Sequence, residues 1–165
     1  MYLAEQFYKK ILKKEPPYYA KYSIALILWK PIRKYLNVVI IPNIPFTNLR
    51  VAFYRLIGFN IGKNVFIGMK CYMDDVAIEN TIIEDGVTIS YGCYFACHGK
   101  GQQHTKIIIK KGAYIGMRCS ILSGKKGLTI GEKVVIGANS LVNKNIPNGS
   151  IAFGVPIKIE GTYDE

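Results

Sequence analysis

From Ile61 to Val142, aliphatic residues return every six positions, and a small or β-branched residue follows each of them four places later. Eight units carry both positions, at Ile61 and Val65, Ile67 and Cys71, Ile83 and Val87, Ile89 and Cys93, Ile109 and Ala113, Ile115 and Cys119, Ile130 and Val134, and Ile136 and Ser140. A period of six is neither the 3.6 of a helix nor the 2 of a simple strand. It suits a coil with flat faces, in which each hexapeptide forms one face of a triangular prism.

This repeat predicts an all-β solenoid, the left-handed parallel β-helix, preceded by a helical N-terminal segment. Three hexapeptides close one coil, and stacking of neighbouring coils stabilises the structure. The fold is a known exception to the right-handed rule for parallel crossovers. We predict an N-terminal segment over residues 1–58, the β-helix with a C-terminal cap over 59–159, and a tail over 160–165.

Three interruptions break the repeat, at residues 73–82, 99–106 and 125–127. A solenoid places such interruptions on one side as loops, and that side is often the binding side. Upstream, helices are predicted over 2–14, 18–36 and 48–57, with a break at Glu15-Pro16-Pro17. Asn48 is a plausible N-cap of the last helix and Gly58 a stop signal. This helix is expected to cover the open first coil, because an uncapped solenoid end exposes strand edges.

The positive charge is concentrated in the N-terminal segment. The whole chain carries 22 Lys and Arg against 11 Asp and Glu, a net charge of +11; residues 1–58 hold ten of the basic residues and only Glu5 and Glu15, a net +8. The apolar run Ile24–Trp29 is too short to span a bilayer, which takes about 20 residues. Two interpretations stay open for this basic, aromatic segment: contact with an anionic membrane surface, or packing on its own domain or a neighbouring subunit.

The four cysteines are predicted to be free thiols in a cytoplasmic protein. Cys71, Cys93 and Cys119 occupy the small inward position of the repeat, which predicts core packing. Cys97 stands outside that column beside His98. A Cys–His nucleophile pair is disfavoured there, since neighbours on a strand point to opposite faces.

The C-terminal third resembles the hexapeptide-repeat O-acetyltransferases, which include the galactoside and maltose acetyltransferases. The resemblance is carried by IKKGAYIGMRCSIL (109–122) and LTIGEKVVIGANSLVNKNIPNGSIAFGVPIKI (128–159). LRVAFYRLIGFNIGKNVFIG (49–68) is similar to the start of the β-helix in acetyltransferases of bacterial cell-surface polysaccharide synthesis. The resemblance implies a homotrimer with active sites between subunits, acetyl-CoA as donor and a sugar hydroxyl as acceptor.

His98 is the predicted general base. In the resembled family a histidine lies just before an excursion loop, and Phe95-Ala96-Cys97-His98 directly precedes residues 99–106. The chemistry favours the same residue, because a hydroxyl is a poor nucleophile and an imidazole is a base that is neutral near pH 7. His104 is similarly placed to a histidine that assists the active site of serine acetyltransferases. A secondary catalytic role and an exposed loop residue are both open for His104.

The resemblance also implies a set of contacts with acetyl-CoA. Ala138 matches a position whose backbone meets the pantetheine arm, and Met117 follows Gly116 where the galactoside enzymes have serine. Asn143 and Lys144 match a Thr-Lys pair near the adenosine end. Lys158 matches a basic residue at the phosphates, where it would act as a point charge.

The same residues bear on other possible functions. A γ-carbonic-anhydrase-like enzyme needs three histidines for each zinc ion, and this chain has two, so no metal is predicted. A scaffold that has lost activity is disfavoured by His98 and by the turn at 143–147. A small metabolite or a xenobiotic is the alternative acceptor. Nucleic acid is not a predicted partner, and the protein is expected in the cytoplasm, with peripheral contact at the inner face of the membrane through residues 1–58.

Overall fold

The chain divides into two compact units, Met1–Leu36 and Asn37–Glu165. The computed structural model describes residues 3–13, 24–76, 78–99 and 104–162. The first unit contains helices α1 (Leu3–Lys10) and α2 (Ile24–Tyr35). Helix α1 ends at Lys10, before the predicted end at residue 14. The predicted start of the second helix at residue 18 and the predicted break at 15–17 lie outside the described residues. No helix among the described residues is long and apolar enough to cross a bilayer.

Helix α3 (Thr47–Leu56) precedes the first coil of the second unit, after a π-helical turn (Leu36–Ile40) and a 3₁₀ turn (Ile41–Asn43). The prediction of Asn48 as N-cap is wrong. The helix begins one residue earlier, and Phe46 occupies the cap position without a side-chain hydrogen bond. Gly58, with a φ of +113°, follows the end of the helix, in agreement with the predicted stop signal.

Short strands form the rest of the second unit. They are β1 (Asn60–Ile61), β2 (Phe66–Ile67), β3 (Thr81–Ile83), β4 (Thr88–Ile89), β5 (Tyr94–Ala96), β6 (Ile107–Ile109), β7 (Tyr114–Ile115), β8 (Ser120–Leu122), β9 (Leu128–Ile130), β10 (Val135–Ile136), β11 (Leu141–Val142), β12 (Ser150–Phe153) and β13 (Lys158–Thr162). Sheet A has the order β1-β3-β6-β9, sheet B the order β2-β4-β7-β10-β12-β13, and sheet C the order β5-β8-β11.

Each coil of the solenoid passes through sheets A, B and C in turn, and about four coils stack. The leading residues of the repeat are register partners, as when Ile61 pairs with Ile83 and Ile83 with Ile109. All pairings except β12 with β13 are parallel. The predicted parallel β-helix with an N-terminal helical segment is confirmed.

The interior consists of the columns that the repeat predicts. The leading aliphatic residues and their fourth-place partners are buried. The thiol of Cys93 donates to the carbonyl oxygen of Gly116 at 3.1 Å, and that of Cys119 to the carbonyl oxygen of Gly137 at 3.2 Å. All four cysteines are free and buried, so Cys71, Cys93 and Cys119 pack the core as predicted.

The three interruptions lie at one edge of the prism. Each follows the sheet C position of its coil and leads to the next strand of sheet A, so they share the C–A edge. The first ends earlier than predicted, because Thr81 and Ile82 already belong to β3. At the other end of the chain, β13 pairs antiparallel with β12 and closes the solenoid. This strand continues through Thr162.

Helix α3 covers the first coil, as predicted. Arg50 is 1% exposed, and its Nε donates to the carbonyl oxygen of Ile67 at 2.8 Å. Its other nitrogens donate to the carbonyl oxygen of Ile44, the carbonyl oxygen of Ile67 and the hydroxyl of Thr47. Burial lowers the pKa of Arg50. The guanidinium thus fixes the helix on strand β2 by hydrogen bonds to the backbone.

Candidate active site

A polar cluster lies at the C–A edge, where His98 meets Asp74. His98 follows strand β5 in the second coil, and Asp74 lies in the first interruption, one coil earlier. Nδ1 of His98 is 2.6 Å from Oδ2 of Asp74. The Asp74 side chain is completely buried, whereas 36% of the His98 side chain is exposed. The pair therefore has one end inside the protein and a reactive end at its surface.

The alternation of strand β5 directs His98 outward. Tyr94 is exposed, Phe95 buried, Ala96 half-buried and Cys97 buried, and His98 is exposed in turn. Successive side chains of an extended chain point to opposite faces. His98 therefore shares the outer side of sheet C with Tyr94.

Three donors hold the carboxylate of Asp74. Its Oδ2 accepts from the backbone N–H of Cys97 at 2.6 Å as well as from His98, and its Oδ1 accepts from the N–H of Val76 at 2.9 Å. A carboxylate that accepts the Nδ1 proton fixes both the tautomer and the orientation of the imidazole. The lone pair is then on Nε2 of His98, the nitrogen available to a substrate.

The thiol of Cys97, unlike its backbone N–H, does not take part in this cluster. It is buried and lies 3.3 Å from the hydroxyl of Thr81. Burial raises the pKa of the thiol to about 11, so it is protonated near neutral pH and a poor nucleophile. The side chain points away from that of His98, as the alternation along the strand predicts.

His104 lies opposite His98 at the base of the excursion loop. The two residues form an isolated antiparallel bridge, and the N–H of Thr105 donates to the carbonyl oxygen of Cys97 at 2.9 Å. His104 is exposed. The backbone thus returns beside His98, while residues 100–103 of the loop lie outside the described part of the chain.

The residues expected at the pantetheine arm lie at a different edge of the prism. Met117 and Ala138 are exposed neighbours at the B–C edge of the third and fourth coils, and the N–H of Asn139 donates to the carbonyl oxygen of Met117 at 2.8 Å. Gly116 is buried at the same edge. A Cβ on Gly116 would lie 2.6 Å from the backbone nitrogen of Ala138, so glycine here allows the two coils to stack.

The remaining predicted contacts are exposed on the last coil and on the cap. Asn143 and Lys144 lie at the C–A edge of the fourth coil, on the same edge as His98, and Lys158 begins β13 on sheet B. One chain therefore brings His98 close to His104 but separates both from Met117 and Ala138, which lie across sheet C.

Asp74 belongs to this candidate site and is not predicted by the repeat. It lies in the first interruption, where the six-residue period makes no prediction. Cys71-Tyr72 and Cys93-Tyr94 begin their sheet C segments alike, and Tyr72 bridges Tyr94 in the structure. Aligning the two segments on these pairs would have placed an acidic residue directly beneath the end of β5.

Two stacked tyrosines lie on the same outer face as His98. The ring centroids of Tyr72 and Tyr94 are 4.4 Å apart, with an angle of 14° between the planes. The hydroxyl of Tyr72 donates to Oδ1 of Asp75 at 2.7 Å. This pair presents an aromatic surface along the strand that leads to His98.

Among residues 3–13, 24–76, 78–99 and 104–162, no group of three or more His, Cys, Asp and Glu side chains is arranged to hold a metal ion.

Comparison with known proteins agrees with the repeat and the fold. The family described as the hexapeptide repeat of succinyl-transferase matches residues 59–95 and 106–144. A Staphylococcus aureus (strain COL) protein, named provisionally as an acetyltransferase, is 34% identical over 127 residues, which are 71% of this chain and 62% of that protein. The galactoside O-acetyltransferase of Escherichia coli (strain K12) is 31% identical over 115 residues, which are 61% of this chain and 55% of that enzyme.

Solved structures show the same fold. A hexapeptide-repeat acetyltransferase from Vibrio cholerae, in complex with acetyl coenzyme A, has a TM-score of 0.69 at 23% identity and covers 87% of this chain and 92% of its own. A maltose O-acetyltransferase from Clostridium difficile 630 also has a TM-score of 0.69, at 22% identity, with 100% and 99% covered. The two matched segments identify the repeat of this chain as that of the hexapeptide-repeat transferases. The chain spans about three fifths of the length of the curated relatives described above.

Proposed function

We propose that this protein is an acetyl-CoA-dependent O-acetyltransferase that acetylates a sugar hydroxyl, with His98 as general base. The observation that carries the proposal is the 2.6 Å hydrogen bond between Nδ1 of His98 and the buried carboxylate of Asp74. A histidine oriented in this way is poised to accept a proton at Nε2. The named acetyltransferases among the relatives support the same class of reaction.

The reaction requires two proton transfers and one exchange of bonds. Nε2 of His98 takes the proton from the acceptor hydroxyl while its oxygen attacks the thioester carbonyl carbon. The C–S bond then breaks, the acetyl group stays on the acceptor oxygen, and the imidazolium returns the proton to the sulfur of coenzyme A. Asp74 is a positioning residue, which stabilises the imidazolium by its charge. We propose no acyl-enzyme, and the buried thiol of Cys97 is consistent with direct transfer.

The donor is expected to bind between two copies of the chain in a homotrimer. Met117 and Ala138 are at the B–C edge and His98 is at the C–A edge, so a neighbouring copy would supply the edge that one chain cannot. Closed cyclic symmetry makes every such edge pair equivalent. We assign the pantetheine arm to Gly116, Met117 and Ala138. A secondary role of His104 beside the base belongs to the same proposal.

Three further residues are assigned to the adenosine end of acetyl-CoA and its phosphates. We propose that Asn143 and Lys144 meet the adenosine end and that Lys158 acts as a point charge for its phosphates. All three side chains are exposed and therefore accessible to a ligand bound along the surface of the solenoid.

Two surfaces near His98 support a sugar acceptor that carries phosphate, such as a lipid-linked glycan precursor. The exposed ring of Tyr94 offers a flat apolar face for the C–H side of a sugar ring. A cleft of about 330 Å³ at the C–A edge is lined by Lys106, Lys125 and Lys126 with no acidic residue. Its lysines are suited to phosphate groups.

The setting proposed for this reaction is the cytoplasm, at the inner face of the membrane. Residues 1–58 would provide the contact, because their net charge of +8 attracts anionic head groups. Acetylation of a lipid-linked glycan precursor would take place at that surface.

The test is the release of free coenzyme A from acetyl-CoA with a panel of acceptors. We expect turnover with sugars, glycans and lipid-linked glycans that exceeds the hydrolysis measured without acceptor. Serine and small xenobiotic alcohols serve as comparison acceptors, since a serine acetyltransferase of Arabidopsis thaliana is also a relative, 32% identical over 150 residues. Turnover limited to serine or to a xenobiotic would refute the sugar assignment, and no turnover with any hydroxyl would refute the function.

A further inference from the structure

The outer side of helix α3 is an apolar surface at the first-coil end of the solenoid. Its inner side is fixed by Arg50, Val51 and Tyr54, which are buried on the first coil. The outer side consists of four residues, which we call the end-cap face: Phe46, Leu49, Phe53 and Leu56. They are 70%, 47%, 37% and 76% exposed, respectively.

The end-cap face is one continuous stripe. Leu49, Phe53 and Leu56 are spaced at four and three residues, so they lie on the same side of the helix, and Phe46 precedes the first turn on that side. Large apolar side chains that are exposed together mark an interaction surface more often than scattered ones do. Because Arg50 already fixes the inner side on strand β2, the helix cannot turn to bury this stripe.

The charge around the end-cap face is mainly positive, with Asp85 of the second coil beside Arg55 and Lys63. Residues 37–73 contain Arg50, Arg55, Lys63 and Lys70 and no Asp or Glu. Lys63 and Lys70 are exposed, and the amine of Lys70 donates to Oδ1 of Asn43. A partner that matches this surface is therefore both apolar and anionic.

Helix α2, considered by itself, has the same character. Leu28, Trp29, Ile32 and Tyr35 are 62%, 40%, 53% and 57% exposed, and at 100° per residue they share one side of the helix. Lys30, Arg33 and Lys34 occupy the other side. Apolar residues on one side and basic residues on the other are typical of a helix that lies in the plane of a membrane surface.

We propose that the end-cap face docks on the surface of a bilayer that contains anionic lipids. Phe46, Leu49, Phe53 and Leu56 enter the boundary between head groups and acyl chains, and the surrounding cations meet the lipid phosphates. This proposal specifies the membrane contact included in the proposed function. If three copies form a trimer whose axis runs along the solenoids, their three end-cap faces lie on one side, and one bilayer can bind all three at once.

The test is co-sedimentation of the full chain with lipid vesicles, without donor or acceptor. One set contains phosphatidylcholine with phosphatidylglycerol, and the other contains phosphatidylcholine alone. We expect the wild type to bind the anionic vesicles, and the double variant Phe46→Ser/Leu56→Ser to bind them at least tenfold more weakly. The matched control is Phe153→Ser/Val155→Ser, which removes two exposed apolar residues (47% and 71% exposed) near the C-terminal cap and should bind like the wild type.

Three results would overturn the proposal. The first is a wild type that does not bind the anionic vesicles. The second is a Phe46→Ser/Leu56→Ser variant that binds them as tightly as the wild type. The third is a smaller assembly of that variant in solution, because it would assign the end-cap face to a second copy of the chain. Retained acetyl transfer to a soluble acceptor shows that the double variant is folded. Because vesicle binding is measured without substrates, its failure leaves the proposed reaction intact.

Discussion

Replacement of His98 by alanine is expected to lower the rate of acetyl transfer about 10²–10⁴-fold, the contribution typical of a positioned general base. The loss should appear in kcat with little change in the KM for acetyl-CoA, because Nε2 meets the acceptor hydroxyl. The rate of coenzyme A release with the best acceptor from the panel measures both constants.

The matched control is His104→Ala, which removes the other histidine from the base of the same loop. Because His104 is exposed and bridges His98 only through the backbone, we expect a loss at least tenfold smaller than that of His98→Ala. If His98→Ala transfers acetyl within twofold of the wild-type rate, His98 is not the base.

Replacement of Asp74 by asparagine is expected to lower kcat by about 10²-fold or more while the protein remains folded. Oδ2 of Asp74 accepts from both Cys97 and His98. An amide nitrogen in that place cannot accept, and an amide turned the other way presents its N–H₂ to the N–H of Val76. If Nδ1 of His98 accepts a hydrogen bond from the asparagine N–H₂, the imidazole proton must lie on Nε2. A protonated Nε2 cannot act as the base.

The neighbouring Asp75→Asn variant is the control for Asp74→Asn. Asp75 accepts a hydrogen bond from the hydroxyl of Tyr72, and the amide oxygen of asparagine can still accept it. Only the charge assistance of that bond is lost, about 1 kcal/mol, so we expect kcat within about fivefold of wild type. Equal losses in the two variants would contradict a specific role of Asp74.

Asp74→Ala has a second expected effect, on stability. It leaves the backbone N–H groups of Cys97 and Val76 without their acceptor, and each unsatisfied donor costs about 1–3 kcal/mol where it is buried. We expect the free energy of unfolding to fall by about 2–4 kcal/mol, measured by urea denaturation. An unchanged free energy would mean that Asp74 does not anchor the C–A edge.

The sequence predicted the solenoid well because its signal is repeated in every coil. Leading aliphatic residues such as Ile83 and Ile109 and small residues such as Cys93 recur at a fixed period, and each coil contacts mainly its neighbours. The period therefore identified the interior columns, and it identified the three interruptions as loops of one edge.

Features outside the period were predicted less well. Asp74 contacts His98 across two coils of unequal length, so no fixed spacing connects them, and the acidic residue was counted as part of a break. The start of α3 was placed at the wrong residue because Asn48 is a favourable N-cap type, whereas the hydrogen bonds of Arg50 to the first coil fix that helix. The preference of asparagine for the N-cap position was outweighed by the contacts between the helix and the first coil.

The resemblance implied active sites between subunits, but it did not say which predicted residues lie at which edge of the prism. His98, Met117 and Ala138 are only 19 to 40 positions apart along the chain, yet the first lies at the C–A edge and the other two at the B–C edge. This separation follows from where each hexapeptide begins. It motivates the assignment of each active site to two chains.

The most direct test of this shared site is activity in mixed trimers. His98→Ala removes the base, and Ala138→Arg fills the edge assigned to the pantetheine arm, so each variant alone should be inactive. In a 1:1 mixture assembled by co-refolding, about one quarter of the sites would combine an intact His98 from one chain with an intact Ala138 from its neighbour. The account predicts recovery to about a quarter of wild-type kcat, and a mixture as inactive as the separate variants would contradict it.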